Sequence, residues 1–316
     1  MTKRLLLYVS LVLMIIVWAF SFIVVDIAVD FMAPLSFALY RFTLVSITFL
    51  FIDFCLFLRY LTKSEENEQK LSLKKRIIPS FSKKQWLYLV IASFTGISIF
   101  FFAQYSSIQL IGPSLPALFV CLLAPVLISL LALIFFNENL NKLKILGFII
   151  ATIGGYFLVT GGDISNLALN SPNFLGYFLA LLTPVLWAIY TIITKRIIQE
   201  IQTLTVLKVV AYFGTIELLI LVIVDNQFIS FLENSLRIPI LLSGFYVGVI
   251  CYILGYYVWQ NSQKQLQSSK VASFLYIEPF ITLIASLILK IDEVIVLWNI
   301  LGGVIVLIGV ILINYR

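Results

Sequence analysis

Long apolar segments with almost no interruption are the feature that most restricts how this chain can fold. The first runs from Leu5 to Val25, with Ser10 and Ser21 as its polar interruptions. Ten such segments occur, at 5–25, 35–58, 86–107, 114–136, 143–160, 173–194, 204–224, 238–259, 270–289 and 294–314. About 20 residues are enough for a helix to cross a hydrocarbon core of about 30 Å, and in lipid such a segment satisfies its backbone hydrogen bonds only as a helix. We therefore predict an all-α integral membrane protein with ten transmembrane helices.

The composition agrees with a membrane protein and not with a soluble globule. Apolar residues make up 62% of the chain and charged residues 11%, whereas soluble domains are near half apolar and a quarter charged. A globule with so few polar side chains could not cover its surface with them. Lys3 and Arg4 precede the first segment, but that segment is longer than the apolar part of a signal peptide, and Asp26 follows it. We therefore interpret it as a retained first helix.

The positions of the cations predict the orientation of the helices. With the N-terminus in the cytoplasm, 18 of the 21 Lys and Arg residues fall on that side, many of them in the long loop 59–84. Arg237 and Lys290 fall on the other side, and Arg41 lies within a helix. This asymmetry fits the positive-inside rule with both termini cytoplasmic. Orientation signals thus explain the net charge of +6, and no nucleic-acid partner is predicted.

The sequence contains no motif for cofactor-dependent or nucleophilic chemistry. Histidine is absent, and Cys55, Cys121 and Cys251 are scattered without a CxxC pair. No phosphate-binding loop, metal-ligand cluster or nucleophile motif occurs. We therefore predict neither an enzyme nor an ATP-driven pump, and no cofactor or metal.

The second half of the chain repeats residues of the first half at nearly constant offsets. The correspondences are Trp18 and Asp26 with Trp187 and Lys195 at 169, Tyr105 and Pro125 with Trp259 and Pro279 at 154, and Glu138, Gly147 and Gly154 with Glu293, Gly302 and Gly309 at 155. The longer loop in the first half accounts for the fall in offset. We predict two five-helix repeats, at 1–160 and 172–316. Because five is odd, the second repeat is inverted, as in many secondary transporters, whose solute site lies between the halves.

Ionisable residues within the predicted spans mark a candidate site, because an Arg or Asp at a helix centre costs about 2.5–3.5 kcal/mol. Arg41 lies in the second predicted helix, and Glu278 lies midway along the ninth. Two interpretations stay open. The two residues line a cavity, where they meet the ends of a zwitterion or take up a proton, or they form a permanent pair that fixes helix packing. Asp53 is expected to reach water near a helix end, and no role is assigned to Glu217.

Aromatic and amide side chains at helical spacing indicate the walls of that cavity. On the eighth predicted helix, for example, Tyr256 and Gln260 share one face. The predicted cavity residues are Trp18, Phe22, Arg41, Gln104, Tyr105, Trp187, Tyr190, Tyr256, Gln260 and Glu278. Rings with a few amide groups suit a neutral or amphipathic solute. The same pattern is also typical of helix packing and of the interfacial aromatic belt, so both interpretations stay open.

Prolines and glycines recur at equivalent places in the two halves. Pro125 and Pro279 each remove one backbone hydrogen bond, which predicts either a hinge or a harmless kink, and their duplication favours the hinge. The glycines of the fifth and tenth predicted helices, seven residues apart in each, allow close helix contact. We therefore assign the glycines to packing.

Several short motifs, taken in order, resemble the drug/metabolite transporter superfamily of the EamA-domain type. They are Trp18 followed by the run Pro34 to Phe42, Ala124-Pro125, the run Phe136 to Leu140, and Tyr276 to Pro279 followed by Asp292-Glu293. The resemblance covers nearly the whole chain and departs from the family pattern at Asp26, Ala19 and Ala188. It implies transport of metabolites such as amino acids or nucleosides, commonly outward.

The sequence thus predicts a secondary transporter of the plasma membrane that exports a small neutral or zwitterionic metabolite by alternating access. Its expected partners are the solute and the lipid bilayer, and a homodimer is left open. One alternative is a membrane receptor or scaffold on the same fold. Another is a carrier of phosphorylated or nucleotide sugars, which Arg41 disfavours as the single clear cation within a span.

Overall fold

The computed structural model describes residues 3–62, 80–136, 142–163, 171–289 and 296–314. Its helices are α1 (Lys3–Val29), α2 (Pro34–Thr62), α3 (Lys83–Ile111), α4 (Ser114–Phe136), α5 (Lys142–Thr160), α6 (Phe174–Ile197), α7 (Thr203–Val224), a short helix (Phe228–Asn234), α8 (Ile238–Gln265), α9 (Ser268–Leu289) and α10 (Leu297–Asn314). The described residues contain no strand, which confirms the all-α prediction.

Eight of these helices, α1 to α4 and α6 to α9, are long and apolar enough to cross a membrane. The apolar parts of α5 and α10 are shorter, at Ile145–Phe157 and Leu297–Gly309. The chain is therefore a multi-pass membrane protein. Ten crossings, inverted repeats and cytoplasmic termini stay predictions. Glu138, Glu293 and most of loop 59–84 lie outside the described residues.

Local sequence signals set several of the helix ends. α2 begins at Pro34, a position where the fixed φ and missing N–H of proline are tolerated. Before α3, the Ser82 hydroxyl accepts from the Gln85 N–H at 3.3 Å, and the Ser82 N–H donates to Gln85 Oε1 at 2.8 Å. Gly112, with a φ of 78°, ends α3 in a conformation that only glycine adopts readily.

Three of the helices change their winding along their length. α3 contains a π-helical turn at Phe94–Ser98, α8 contains a π-helical segment at Tyr246–Tyr256, and α9 contains a 3₁₀ turn at Ser273–Ile277. The offset of 154 relates the π turn of α3 to 248–252, inside the π segment of α8. π-helical turns within α-helices are frequent at functional sites, and those in α3 and α8 lie beside the cavity described below.

Glycines allow α5 and α10 to cross with their backbones in contact. A Cβ atom on Gly154 would lie 2.6 Å from the Val306 nitrogen, and one on Gly309 would lie 2.6 Å from the Ala151 nitrogen. Backbone atoms cannot move aside as a flexible side chain can, so these two positions admit only glycine at this distance. The packing role predicted for them is confirmed.

The sequence suggested that Asp53 reaches water near a helix end. The structure gives it a partner instead. It forms a salt bridge with Lys208 of α7, with 2.9 Å between Lys208 Nζ and Asp53 Oδ2. Lys208 is buried within the second turn of α7. Burial of the ammonium group explains the pairing, because an isolated charge would be costly there.

Candidate functional site

A central cavity of about 50 Å³ lies where seven helices meet. Its walls come from α1 to α4, α6, α8 and α9, and thus from both halves of the chain. The lining residues are Trp18, Ser21, Phe22, Arg41, Phe100, Phe101, Gln104, Val120, Cys121, Trp187, Cys251, Tyr256, Leu275 and Glu278. A buried water needs about 10–15 Å³ measured in this way, so the cavity has room for a few waters in this conformation.

Arg41 is the cation of the cavity and is only 3% exposed. Its Nη1 donates to the Tyr105 hydroxyl at 2.7 Å, and its guanidinium carbon lies 4.0 Å from the centre of the Phe101 ring. Cation–π contacts of this kind stabilise a guanidinium that has left water. Its Nε has no hydrogen-bond partner among the described residues.

Glu278 is the carboxyl group of the cavity and is also 3% exposed. It follows the 3₁₀ turn of α9 directly, and it lines the cavity together with Cys121 of α4. Within the described residues its Oε2 has no partner. One turn further along α9, the Thr282 hydroxyl donates to the Ala19 carbonyl at 3.1 Å, which fixes α9 against α1.

Arg41 and Glu278 line the same cavity without neutralising each other. Among the described residues they form no salt bridge, because the guanidinium is held by Tyr105 and by aromatic faces. The permanent internal pair considered from the sequence is thus not the arrangement found. A buried donor and a buried acceptor that each lack a partner are rare in folded proteins, since desolvation makes them costly.

Four aromatic rings close one end of the cavity. Trp18 lies 5.7 Å from Trp187 and 5.5 Å from Tyr256, measured between ring centres, and Trp187 lies 5.3 Å from Tyr256. Trp259 lies 5.7 Å from both tryptophans. Trp18 Nε1 donates to the Cys251 carbonyl of α8 at 3.0 Å, which holds the cluster in register. We call these residues the ring cluster.

Two glycines make room for these rings and their neighbours. A Cβ atom on Gly255 would lie 2.3 Å from Trp18 Nε1, and one on Gly96 would lie 2.1 Å from Tyr190 Cδ2. Gly96 sits in the π turn of α3 and Gly255 in the π segment of α8. The altered winding and the missing side chains together bring aromatic rings against the helix backbones.

The structure brings most of the predicted cavity residues together. Trp18, Phe22, Arg41, Gln104, Trp187, Tyr256 and Glu278 line the cavity. Tyr105, Tyr190 and Gln260 lie behind its wall, where Tyr105 holds Arg41 and the Tyr190 hydroxyl accepts from Gln260 Nε2 at 2.6 Å. Pro125 and Pro279 each lie four residues after a lining residue. Whether these residues bind solute, or act as hinges, stays a prediction.

Sequence reasoning missed several lining residues, including Phe100, Val120, Cys121 and Leu275. All four are apolar or weakly polar and carry no chemical signal of their own. Cys121 and Leu275 could have been found through the prolines, because the carbonyl freed by a proline belongs to the residue four positions earlier. No comparable sequence signal identifies Phe100 or Val120.

The model of the EamA-like transporter family matches this chain twice, at residues 5–160 and at residues 174–315. The chain belongs to the EamA-like transporter family. Two similar proteins agree with that assignment. The uncharacterized transporter YyaM of Bacillus subtilis is 25% identical over 285 residues, covering 89% of this chain and 85% of that protein. An uncharacterized transporter of Archaeoglobus fulgidus is 23% identical over 300 residues, covering 95% and 94%.

One solved crystal structure supports the fold over the full length. It matches this chain with a TM-score of 0.63 at 16% identity and covers 99% of this chain and 98% of that one. This EamA protein is therefore a membrane transporter by family, with a fold that a solved structure shares.

Proposed function

We propose that this EamA protein is a secondary transporter that moves a small zwitterionic metabolite, such as an amino acid, outward across the plasma membrane. The observation that supports the proposal is the separation of Arg41 and Glu278 in one buried cavity. A carboxylate would accept from Arg41 Nε, and an ammonium group would donate to Glu278 Oε2, each now without a partner among the described residues. The remainder of the solute would contact the lining rings.

We infer alternating access from the small size of the cavity. At about 50 Å³ the cavity has room for a few waters, and we infer that helices move apart to admit a larger solute.

The alternative substrates fit the cavity less well. Phosphorylated sugars need several cationic groups, and Arg41 is the only cation among the described lining residues. A receptor or scaffold has no need for a charge pair held apart in a buried space, but the transport assay below distinguishes it directly.

The test is counterflow in liposomes that contain the purified protein and an internal pool of unlabelled amino acids. We expect uptake of labelled zwitterionic amino acids and none of sugar phosphates. Arg41→Gln should weaken solute binding roughly 30-fold or more, since loss of one partner of a buried charge contact costs about 2–5 kcal/mol. Lys264→Gln, which removes an exposed cation, is the matched control and should transport normally. Binding without counterflow would favour a receptor, and uptake of sugar phosphates would contradict the zwitterion.

A further inference from the structure

A second and larger cavity lies at one end of α3, α4 and α6. Its volume is about 520 Å³, and it shares no lining residue with the central cavity. It is lined by Tyr88, Leu131, Phe135, Ile189, Ile192, Ile193 and Arg196. Five of these side chains are aliphatic or phenyl groups, so the interior offers almost no hydrogen bonds to a polar solute. We call it the lateral groove.

Two cations lie at one end of the lateral groove, around the Tyr88 ring. The Arg196 guanidinium carbon is 5.9 Å from the centre of that ring, and Lys84 Nζ is 5.8 Å from it. Both side chains are exposed, and neither forms a salt bridge within the described part of the chain. The neighbouring acid Glu200 accepts from Gln85 Nε2 at 2.7 Å. Glu200 is the one acid described beside these two cations, so positive charge remains in excess at this end.

We propose that the lateral groove binds an anionic phospholipid, with an acyl chain against the apolar walls and the phosphate beside Arg196 and Lys84. Burial of each CH₂ group of an acyl chain stabilises binding by an amount that a small polar solute cannot match. Cations near the surface of an anionic leaflet attract its head groups. Tyr88 lies between the apolar walls and the two cations, and a tyrosine in such a place is typical of the membrane–water interface. Only an amphiphile with a negative head group uses both the apolar walls and the cations.

The position of the lateral groove links this lipid to the two halves of the chain. Its lining residues come from α3 and α4 in the first half and from α6 in the second. A bound acyl chain therefore contacts both, and its binding changes whenever the halves move relative to each other.

The experiment measures lipid retention by native mass spectrometry on the full chain, purified in a neutral detergent. Phosphatidylglycerol and phosphatidylcholine with identical acyl chains are added to the protein in separate samples. We expect phosphatidylglycerol to bind more tightly, and the double variant Lys84→Gln/Arg196→Gln to bind it roughly tenfold or more weakly. Lys264→Gln/Lys270→Gln removes two exposed cations elsewhere and should retain normal binding. Equal retention of the two lipids, or equal loss in both double variants, would overturn the proposal.

A second measurement identifies what occupies the lateral groove in the membrane. A photo-crosslinking amino acid replaces Ile193, the cells are irradiated, and the protein is analysed by mass spectrometry. A covalent adduct with the mass of an anionic phospholipid is expected. A crosslink to another part of this chain, or to a second copy, would overturn the proposal. Glycerol phosphate that competes as well as the intact lipid would also overturn it, because the apolar walls would then contribute nothing.

Discussion

α4 and α9 carry prolines at equivalent places, yet the two helices differ in winding and in chemistry. α4 stays α-helical from Ser114 to Phe136 and continues through Pro125. α9 instead tightens into a 3₁₀ turn immediately before Glu278 and Pro279. The offset of 154 relates Glu278 to Ala124, so the charge exists in only one of the two helices.

The two helices differ in whether the carbonyl that loses its usual N–H donor to proline accepts a hydrogen bond from another residue. That carbonyl belongs to Cys121 in α4 and to Leu275 in α9, and both residues line the cavity. In α9 the Glu278 N–H donates to the Leu275 carbonyl, because the 3₁₀ turn shortens the spacing. The winding of α9 therefore positions the carboxylate, whereas that of α4 positions no charge. The two prolines, although equivalent in sequence, therefore lie in helices of different winding.

The largest effect is expected for Glu278→Gln, which keeps the shape of the side chain and removes its charge. On the proposed function, the variant still binds solute, weakened roughly fivefold, because the Gln amide oxygen still accepts from the ammonium group but carries no negative charge. It should lose the pH dependence of transport and accumulation against a gradient, because no proton can be taken up. Uptake into liposomes with an imposed pH gradient measures both. The control is Glu217→Gln, which changes a carboxyl group held by Ser93 and Ser98 away from the cavity. Solute accumulation by folded Glu278→Gln protein would exclude Glu278 as the coupling group.

Pro279→Ala should have the next largest effect. Alanine supplies the missing N–H, so α9 can replace its 3₁₀ turn with α-helix and rotate Glu278 relative to Arg41. We expect transport to slow by roughly tenfold, with a smaller change in solute affinity, because one conformation becomes favoured. Initial rates of counterflow and equilibrium binding distinguish the two quantities. An unchanged rate would leave the harmless kink as the explanation for Pro279.

Pro125→Ala should act in the same direction but more weakly. α4 is already α-helical at this position, so alanine adds a hydrogen bond to the Cys121 carbonyl without changing the winding. We expect a rate within about threefold of the parent protein and a more stable helix, given the cost of about 3 kcal/mol for proline in a helix interior. Thermal unfolding and counterflow report the two changes. A larger loss of rate than in Pro279→Ala would reverse the ranking of the two prolines.

The smallest effect is expected for Cys121→Ser, which keeps a donor beside the Glu278 carboxyl group. We expect solute affinity within about twofold of the parent protein. Cys121→Val has nearly the same volume but no donor, and it should bind more weakly by roughly fivefold, as one buried hydrogen bond is worth about 1 kcal/mol. Equal affinities in the two variants would show that the thiol contributes only its volume.

Much of the fold could be predicted because a membrane helix is recognised from the length and the residue spacing of its own segment. The length of the segment at 5–25 and the spacing of Tyr256 and Gln260 depend on neighbouring residues alone, and lipid allows few other structures. The family followed from motifs around Trp18 and Pro279. The winding of the helices could not be predicted in this way, because the residues at 273–277 contain no pattern that indicates a 3₁₀ turn.

By itself the sequence determined a multi-pass helical protein of the EamA family and half of the side chains that line its cavity. Only the tertiary structure decided how those side chains pair. Arg41 contacts Tyr105 and leaves Glu278 separate, Asp53 pairs with Lys208, and Trp18 bonds to the backbone of Cys251. These partners lie between 64 and 233 residues apart in the chain. Periodicity reports which face of a helix a residue occupies, but the partner of that face depends on how the helices pack against one another.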